Sequence, residues 1–117
     1  MAAPKLESIK IVPDAEQPFT GNLLIQYKNL EGGLTALGEN CGFSVALDQE
    51  QAYTEPRRNI LGTLLEGDRV CVRTSLTCDE LQEAFLWYGA GNCECTIRDK
   101  DQMSIPAMGP LRIKEYI

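Results

Sequence analysis

Apolar residues recur at every second position along most of this chain, and that spacing is the feature that most constrains its fold. Leu23, Ile25 and Tyr27 share one face of an extended segment, while the residues between them lie on the other face. A period of two predicts half-buried strands rather than helices. The same spacing recurs at Ile9 and Ile11, at Phe43, Val45 and Leu47, at Val70 and Val72, and at Ala84, Leu86 and Tyr88.

Turn residues separate these segments at short intervals. Glu66-Gly67-Asp68 lies between two apolar stretches and predicts a hairpin. About seven or eight short strands, the last running through Leu111 and Ile113, predict an all-β fold. We expect an antiparallel β-sandwich, either Ig-like or a jelly-roll. Thr77-Cys78-Asp79-Glu80 fits a capping box, which predicts one helical turn at most.

Size and charge narrow the class of protein. The 117 residues fit a single domain, 1–117, and the net charge is −6. Negative charge scattered along the chain argues against nucleic acid or an anionic membrane as a partner. No apolar run reaches the ~20 residues that span a bilayer, and the N-terminus lacks the apolar core of a signal peptide. A complete chain of this kind is expected in the cytoplasm, and a segment of a longer protein could be exported.

The residue types present bear on catalysis. The sequence contains no histidine, so neither a Ser-His-Asp nor a Cys-His arrangement can form within it. Gly89-Ala90-Gly91 is followed by a strand pattern rather than a helix, which favours a bend over a phosphate site. We therefore expect no enzyme activity and no cofactor.

Metal binding is not expected either. The five cysteines contain no C-x-x-C pair, and Cys93-Glu94-Cys95 is a lone C-x-C. Free thiols are favoured, with one disulfide or a metal as the alternatives. Asp99 and Asp101 lie on one side of an extended segment, but two carboxylates are too few oxygen ligands for calcium.

Two aromatic residues are the candidate contact residues. Phe85 and Trp87 share the strand face opposite Leu86 and Tyr88. If Tyr88 faces the core, Phe85 and Trp87 face outward, as a platform for a sugar ring or a contact with a neighbouring domain. The alternative is that both rings pack beneath a loop.

The order of several short motifs resembles a known family. Gly42-Phe43-Ser44-Val45-Ala46 is similar to a "G-F-x-x-A" strand, and residues 65–72 are similar to an "x-x-G-D-x-V-x-V" hairpin. Leu86-Trp87-Tyr88-Gly89, Cys95-Thr96-Ile97-Arg98-Asp99 and Ile105-Pro106-Ala107 follow in the family's order. Together they resemble the C-terminal β-sandwich of sialate O-acetylesterase-like proteins of the SGNH/GDSL group. Ile97-Arg98-Asp99 departs from the family's apolar-Tyr-Asn pattern.

The resemblance implies an accessory role rather than an active site. In that family the catalytic serine and histidine lie on a separate domain, and neither position maps onto this chain. The resemblance thus implies a non-catalytic sandwich that packs on an esterase domain or another protein chain. The alternative is a free-standing carbohydrate-binding module whose partner is a glycan.

Overall fold

The computed structural model of the protein describes residues 4–30, 32–36, 42–48, 59–89, 97–99 and 105–117. Within these residues, nine strands, one short α-helix and one 3-10 helix follow one another along the chain. The strands are β1 (Lys5–Pro13), β2 (Gly21–Lys28), β3 (Leu34–Ala36), β4 (Phe43–Ala46), β5 (Ile60–Glu66), β6 (Arg69–Thr74), β7 (Phe85–Tyr88), β8 (Ile97–Asp99) and β9 (Met108–Arg112). Helix α1 is Cys78–Glu83, and the 3-10 helix is Ile113–Tyr116.

In the described ranges all strand pairs are antiparallel, and they form three sheets. The largest sheet has four strands in the order β1-β2-β6-β5, the second has the order β4-β7-β9, and β3 pairs with β8. The turn Gly67–Asp68 joins β5 to β6, as the Glu66-Gly67-Asp68 motif predicts. The all-β antiparallel fold predicted from the alternation is therefore confirmed.

The core lies between the four-stranded and three-stranded sheets, as in a sandwich. Leu23, Ile25 and Tyr27 of β2 are buried in one cluster with Leu86 and Tyr88 of β7. Their burial follows from the period of two, because every second side chain of each strand points inward. The outer face of the four-stranded sheet is defined by the intervening residues, which include Asn22, Leu24, Gly62, Leu64, Cys71 and Arg73.

The capping box predicted at Thr77 and Glu80 is confirmed. The Thr77 side chain accepts a hydrogen bond from the Glu80 amide at 3.1 Å, and the Glu80 carboxylate accepts one from the Thr77 amide at 2.9 Å. Helix α1 then runs for six residues, somewhat longer than the single turn expected, because Leu81 anchors it in the core.

The chain end differs from the prediction that Ile113 continues a strand. Strand β9 ends at Arg112, and Ile113 begins the 3-10 helix with its side chain buried. Ile113 and Tyr116 therefore follow the three-residue repeat of a 3-10 helix and not a strand alternation.

Gly109 gives a stability prediction. Its φ is +120°, and a Cβ built there would lie 2.5 Å from Cδ1 of Trp87. We expect Gly109→Ala to lower the free energy of unfolding by about 2–3 kcal/mol, through backbone strain and overpacking. Urea unfolding measures the change.

Gly62 provides the matched control, because a Cβ built there meets nothing within 4 Å. Gly62→Ala should leave stability within about 1 kcal/mol of the wild-type value, or raise it slightly. Equal effects of the two substitutions would contradict the assigned packing at Gly109.

Candidate functional site

The two aromatic residues singled out in the sequence lie next to each other on β7. Phe85 pairs with Ala46 of β4, and Trp87 pairs with Ser44. Their ring centroids are 6.1 Å apart. Both lie on the face opposite Leu86 and Tyr88, which belong to the core. The predicted division of the two faces of β7 is therefore confirmed.

Trp87 is not an exposed platform, however, and that expectation is wrong. Its side chain is only 2% exposed and packs with Ala46 and Phe85 in a small separate cluster. The physical reason lies in β9: Gly109 has no side chain, so the indole lies directly against its backbone. The period of two predicts which face of β7 carries Trp87, but it does not predict which residues pack over its side chain.

Phe85 is half-buried and has a cation beside it. The Arg112 guanidinium, from the neighbouring strand β9, lies 5.4 Å from the centre of the Phe85 ring. This is a cation–π distance, so one face of the ring is already occupied. A role for Phe85 and Trp87 in binding a ligand or partner stays a prediction.

Two of the five large apolar side chains that are exposed in the described part of the chain lie on β5, at the edge of the four-stranded sheet. Leu61 is 53% exposed and Leu64 is 55% exposed. Leu64 lies opposite Cys71 on the outer face, and Leu24 lies beyond Cys71. Leu61 occupies a register irregularity between Ile60 and Gly62. We call Leu61 and Leu64 the β5 leucine pair.

Sequence reasoning missed this pair. The stretch 60–65 carries apolar residues at adjacent positions as well as alternate ones, as in Leu64-Leu65. A strand that buries only one face needs apolar residues at every second position, so the additional leucines are the signal that could have found the surface.

A charged network lies at one end of the same sheet. The Asp14 carboxylate is 5% exposed and accepts hydrogen bonds from the Asn22 side-chain amide at 3.0 Å and from Arg73 Nε at 3.0 Å. It also accepts bonds from the amides of Glu16 and Gln17 at 3.0 and 2.9 Å. These donors, Arg73 foremost, hold the pKa of Asp14 well below its usual range. The same ion pair raises the pKa of Arg73.

A cleft of about 570 Å³, lined by both apolar and charged residues, lies at the opposite end of β2. The amide of Leu34 donates to the Gly67 carbonyl at 2.7 Å, and that of Tyr27 donates to the Asp68 carbonyl at 3.1 Å, which fixes the cleft wall. The buried Tyr27 hydroxyl has no hydrogen-bond partner among the described residues, and burial raises its pKa. Charges of both signs line the cleft, at Glu7, Lys28 and Asp68.

The structure describes two of the five cysteines. Cys71 is buried and Cys78 half-buried, and both are free thiols. Burial raises the pKa of Cys71, which disfavours the reactive thiolate. Within the described ranges, no group of three or more candidate side chains is placed to hold a metal ion. Several residues singled out in the sequence lie outside the described residues. They are Cys41, Cys93, Cys95, Asp101, and Ala90 and Gly91 of the Gly89-Ala90-Gly91 bend.

Comparison of the chain with protein-family models, with curated proteins and with solved structures finds no match. In the described part of the chain, neither helix is long and apolar enough to cross a membrane.

The Asp14 network predicts a pH dependence of stability. Because the folded-state pKa is lowered, the stabilisation is complete above the unfolded-state pKa of about 3.9 and is lost as the pH falls below it. Asp14→Asn removes the stabilisation that comes from the ionised Asp14 carboxylate. The wild type loses the same stabilisation as the pH falls, so the difference in unfolding free energy between wild type and variant should be smaller at pH 3 than at pH 7. Urea unfolding at both pH values measures it.

The exposed pair Arg69–Glu66, at 3.0 Å, is the control. Glu66→Gln should change stability by less than about 1 kcal/mol at pH 7, because solvent screens a surface pair. A gap between wild type and Asp14→Asn that stays constant with pH would contradict the proposed ionisation of Asp14.

Proposed function

We propose that this chain is a non-catalytic accessory β-sandwich that packs on an SGNH/GDSL-type esterase domain through the β5 leucine pair. The observation that carries the proposal is the exposure of Leu61 and Leu64, at 53% and 55%, on one strand. Scattered single apolar residues are ordinary on a protein surface, whereas neighbouring ones on one strand favour a contact surface.

The surroundings of the pair support a contact with another protein. The Asn59 side chain, just before β5, donates to the Val45 carbonyl of β4 at 2.8 Å, which holds β5 beside β4. Leu47, 44% exposed, follows β4 directly. Leu47 is therefore a further exposed apolar side chain, next to the part of β4 that β5 approaches.

The size of the effect fits one part of an interface. Covering a leucine fully stabilises by about 1.5–3 kcal/mol, and these side chains are already half covered. The pair therefore supplies on the order of 2 kcal/mol, so a stable complex needs further contacts over about 800 Å² per partner. The absence of histidine from the sequence supports the non-catalytic part of the proposal.

The carbohydrate-binding alternative has less support. It depended on an exposed tryptophan, and the only tryptophan of the chain, Trp87, is buried. Stacking of a sugar ring needs an accessible aromatic face. Phe85, the other candidate, already has Arg112 beside its ring.

Titration calorimetry tests the proposal. The probe is the purified catalytic domain of a sialate O-acetylesterase-like protein, prepared without its own C-terminal sandwich. We expect a complex at micromolar concentrations. We expect the double variant Leu61→Thr/Leu64→Thr to bind about 30-fold more weakly, because each lost leucine contact removes on the order of 1 kcal/mol.

Ile117→Thr is the matched control, since Ile117 is 67% exposed and lies outside β5. It should bind like the wild type. Both variants should keep their fold, because threonine favours the strand conformation at positions 61 and 64 and Ile117 is an exposed terminal residue outside any strand. Circular dichroism verifies this. If the wild-type chain forms no complex with the catalytic domain, the proposal is refuted. If Ile117→Thr weakens binding as much as the double leucine variant does, the contact is not on β5.

A further inference from the structure

The cleft of about 570 Å³ at the end of β2 has no part in the contact proposed for β5. Three elements surround it: the bulged part of β1, the residues that follow β2, and the turn Gly67–Asp68 between β5 and β6. Pockets that hold small ligands have volumes of about 300–1,000 Å³. The cleft is therefore large enough for a small molecule, and the groups around it decide which kind it fits.

The walls of the cleft are held in place by the chain itself. The Leu34 amide donates to the Gly67 carbonyl at 2.7 Å. The next carbonyl, that of Asp68, accepts from the Tyr27 amide at 3.1 Å. Gly33 has a φ of +87°, and a Cβ built there would lie 3.1 Å from the Gly67 carbonyl oxygen. Because these walls are ordered beforehand, a ligand does not have to order them when it binds.

Charged side chains of both signs line the cleft, at Glu7, Lys28 and Asp68. All three are exposed, and within the described ranges none of them forms an ion pair. Lys28 lies on β2, whose neighbours in the sheet are β1, which carries Glu7, and β6, which Asp68 precedes. Since adjacent strands are about 4.8 Å apart, an acidic residue lies to each side of the lysine. A ligand that carries both charges can pair with all of them.

Two further features favour a ligand at this place. The amides of Gly32 and Gly33, which both line the cleft, have no hydrogen-bond partner in the part of the chain that the structure describes. Backbone amides and a lysine ammonium group are typical donors to an anionic group. Glu7 is the extra residue of the β1 bulge and has no partner opposite it on β2. Bulges redirect a side chain and are frequent next to active sites.

We propose that the cleft binds a short peptide as a zwitterion, that is, with a free ammonium group and a free carboxylate. The peptide carboxylate accepts hydrogen bonds from Lys28 and from the amides of Gly32 and Gly33. The peptide ammonium group donates to the carboxylates of Glu7 and Asp68. An extended dipeptide spans at most about 7 Å, which is between one and two strand spacings. This inference goes beyond the proposed function and does not rest on it.

The composition of the cleft disfavours other small ligands. Stacking of a sugar ring needs an accessible aromatic face, and Tyr27, the aromatic residue among the described residues that line the cleft, is 1% exposed. A polyanion meets two carboxylates against one lysine, and an inorganic cation is repelled by Lys28. Leu30 is half-buried in the cleft wall and offers an apolar contact for one side chain of a peptide.

A titration with alanyl-alanine, followed in nitrogen–proton correlation spectra of the full chain, tests the proposal. The amide signals of Gly32, Gly33 and Gly67 should shift, with a Kd on the order of 1 mM for so small a ligand. Two matched probes each lack one charge: N-acetyl-alanyl-alanine has no ammonium group, and alanyl-alanine amide has no carboxylate. Each should bind about fivefold more weakly, because it loses one set of charge-assisted hydrogen bonds.

A lysine variant locates the carboxylate end of the peptide. Lys28→Gln should weaken binding of alanyl-alanine about fivefold and remove the difference in affinity between alanyl-alanine and its amide. Lys10→Gln is the matched control, because Lys10 is also exposed and does not line the cleft. It should leave the affinity for both probes unchanged.

An acidic variant locates the ammonium end. Asp68→Asn keeps a residue that suits the hairpin turn. It should weaken binding of alanyl-alanine and remove the difference in affinity between alanyl-alanine and its N-acetyl form.

Each contrary result overturns a stated part of the proposal. If alanyl-alanine shifts none of the three glycine signals, the cleft is not a peptide site. If alanyl-alanine and its amide bind equally, the site takes a cation and the zwitterion is wrong. If Lys10→Gln weakens binding as much as Lys28→Gln does, the effect comes from net charge and the contact with Lys28 is wrong. None of these results bears on the complex with the esterase domain, which calorimetry tests separately.

Discussion

The pairing of β2 with β6 is the constraint on which the rest of the structure depends. Leu23 and Ile25 lie opposite Val72 and Val70 on the inner face, and all four are fully buried. A slip of one residue would expose this set and bury Arg73 instead, so the register is strongly specified. Strands β1 and β5 then add to the two sides of this pair, and their outer residues follow from it.

The same register sets the surface on which the functional proposal depends. With Val70 and Val72 inward, Cys71 and Arg73 must face outward. Leu64 therefore joins Cys71 on the outer face, and Arg73 meets Asp14. One alternation thus produces the core on one side, and the exposed Leu64 and the Arg73–Asp14 ion pair on the other.

The sequence was informative where structure depends on neighbours along the chain. The faces of β2 and β7, the hairpin at Gly67 and the capping box at Thr77 all follow from local spacing, and the structure has them. It was uninformative where contacts join distant residues. Asp14 and Arg73 are 59 positions apart, and neither residue type predicts the other. Trp87 is buried because of Gly109, a contact between strands that no periodicity encodes.

The composition of β5 has a consequence for the behaviour of the isolated chain. Residues 60–65 are six uncharged, mostly apolar residues with no proline, and the first charge appears only at Glu66. Such a segment, with two leucines exposed, favours intermolecular strand stacking when nothing covers it. The concentration that the isolated chain reaches in solution should therefore be limited by self-association of folded molecules rather than by unfolding. Co-production with any protein that covers β5 would then raise the solubility of the chain.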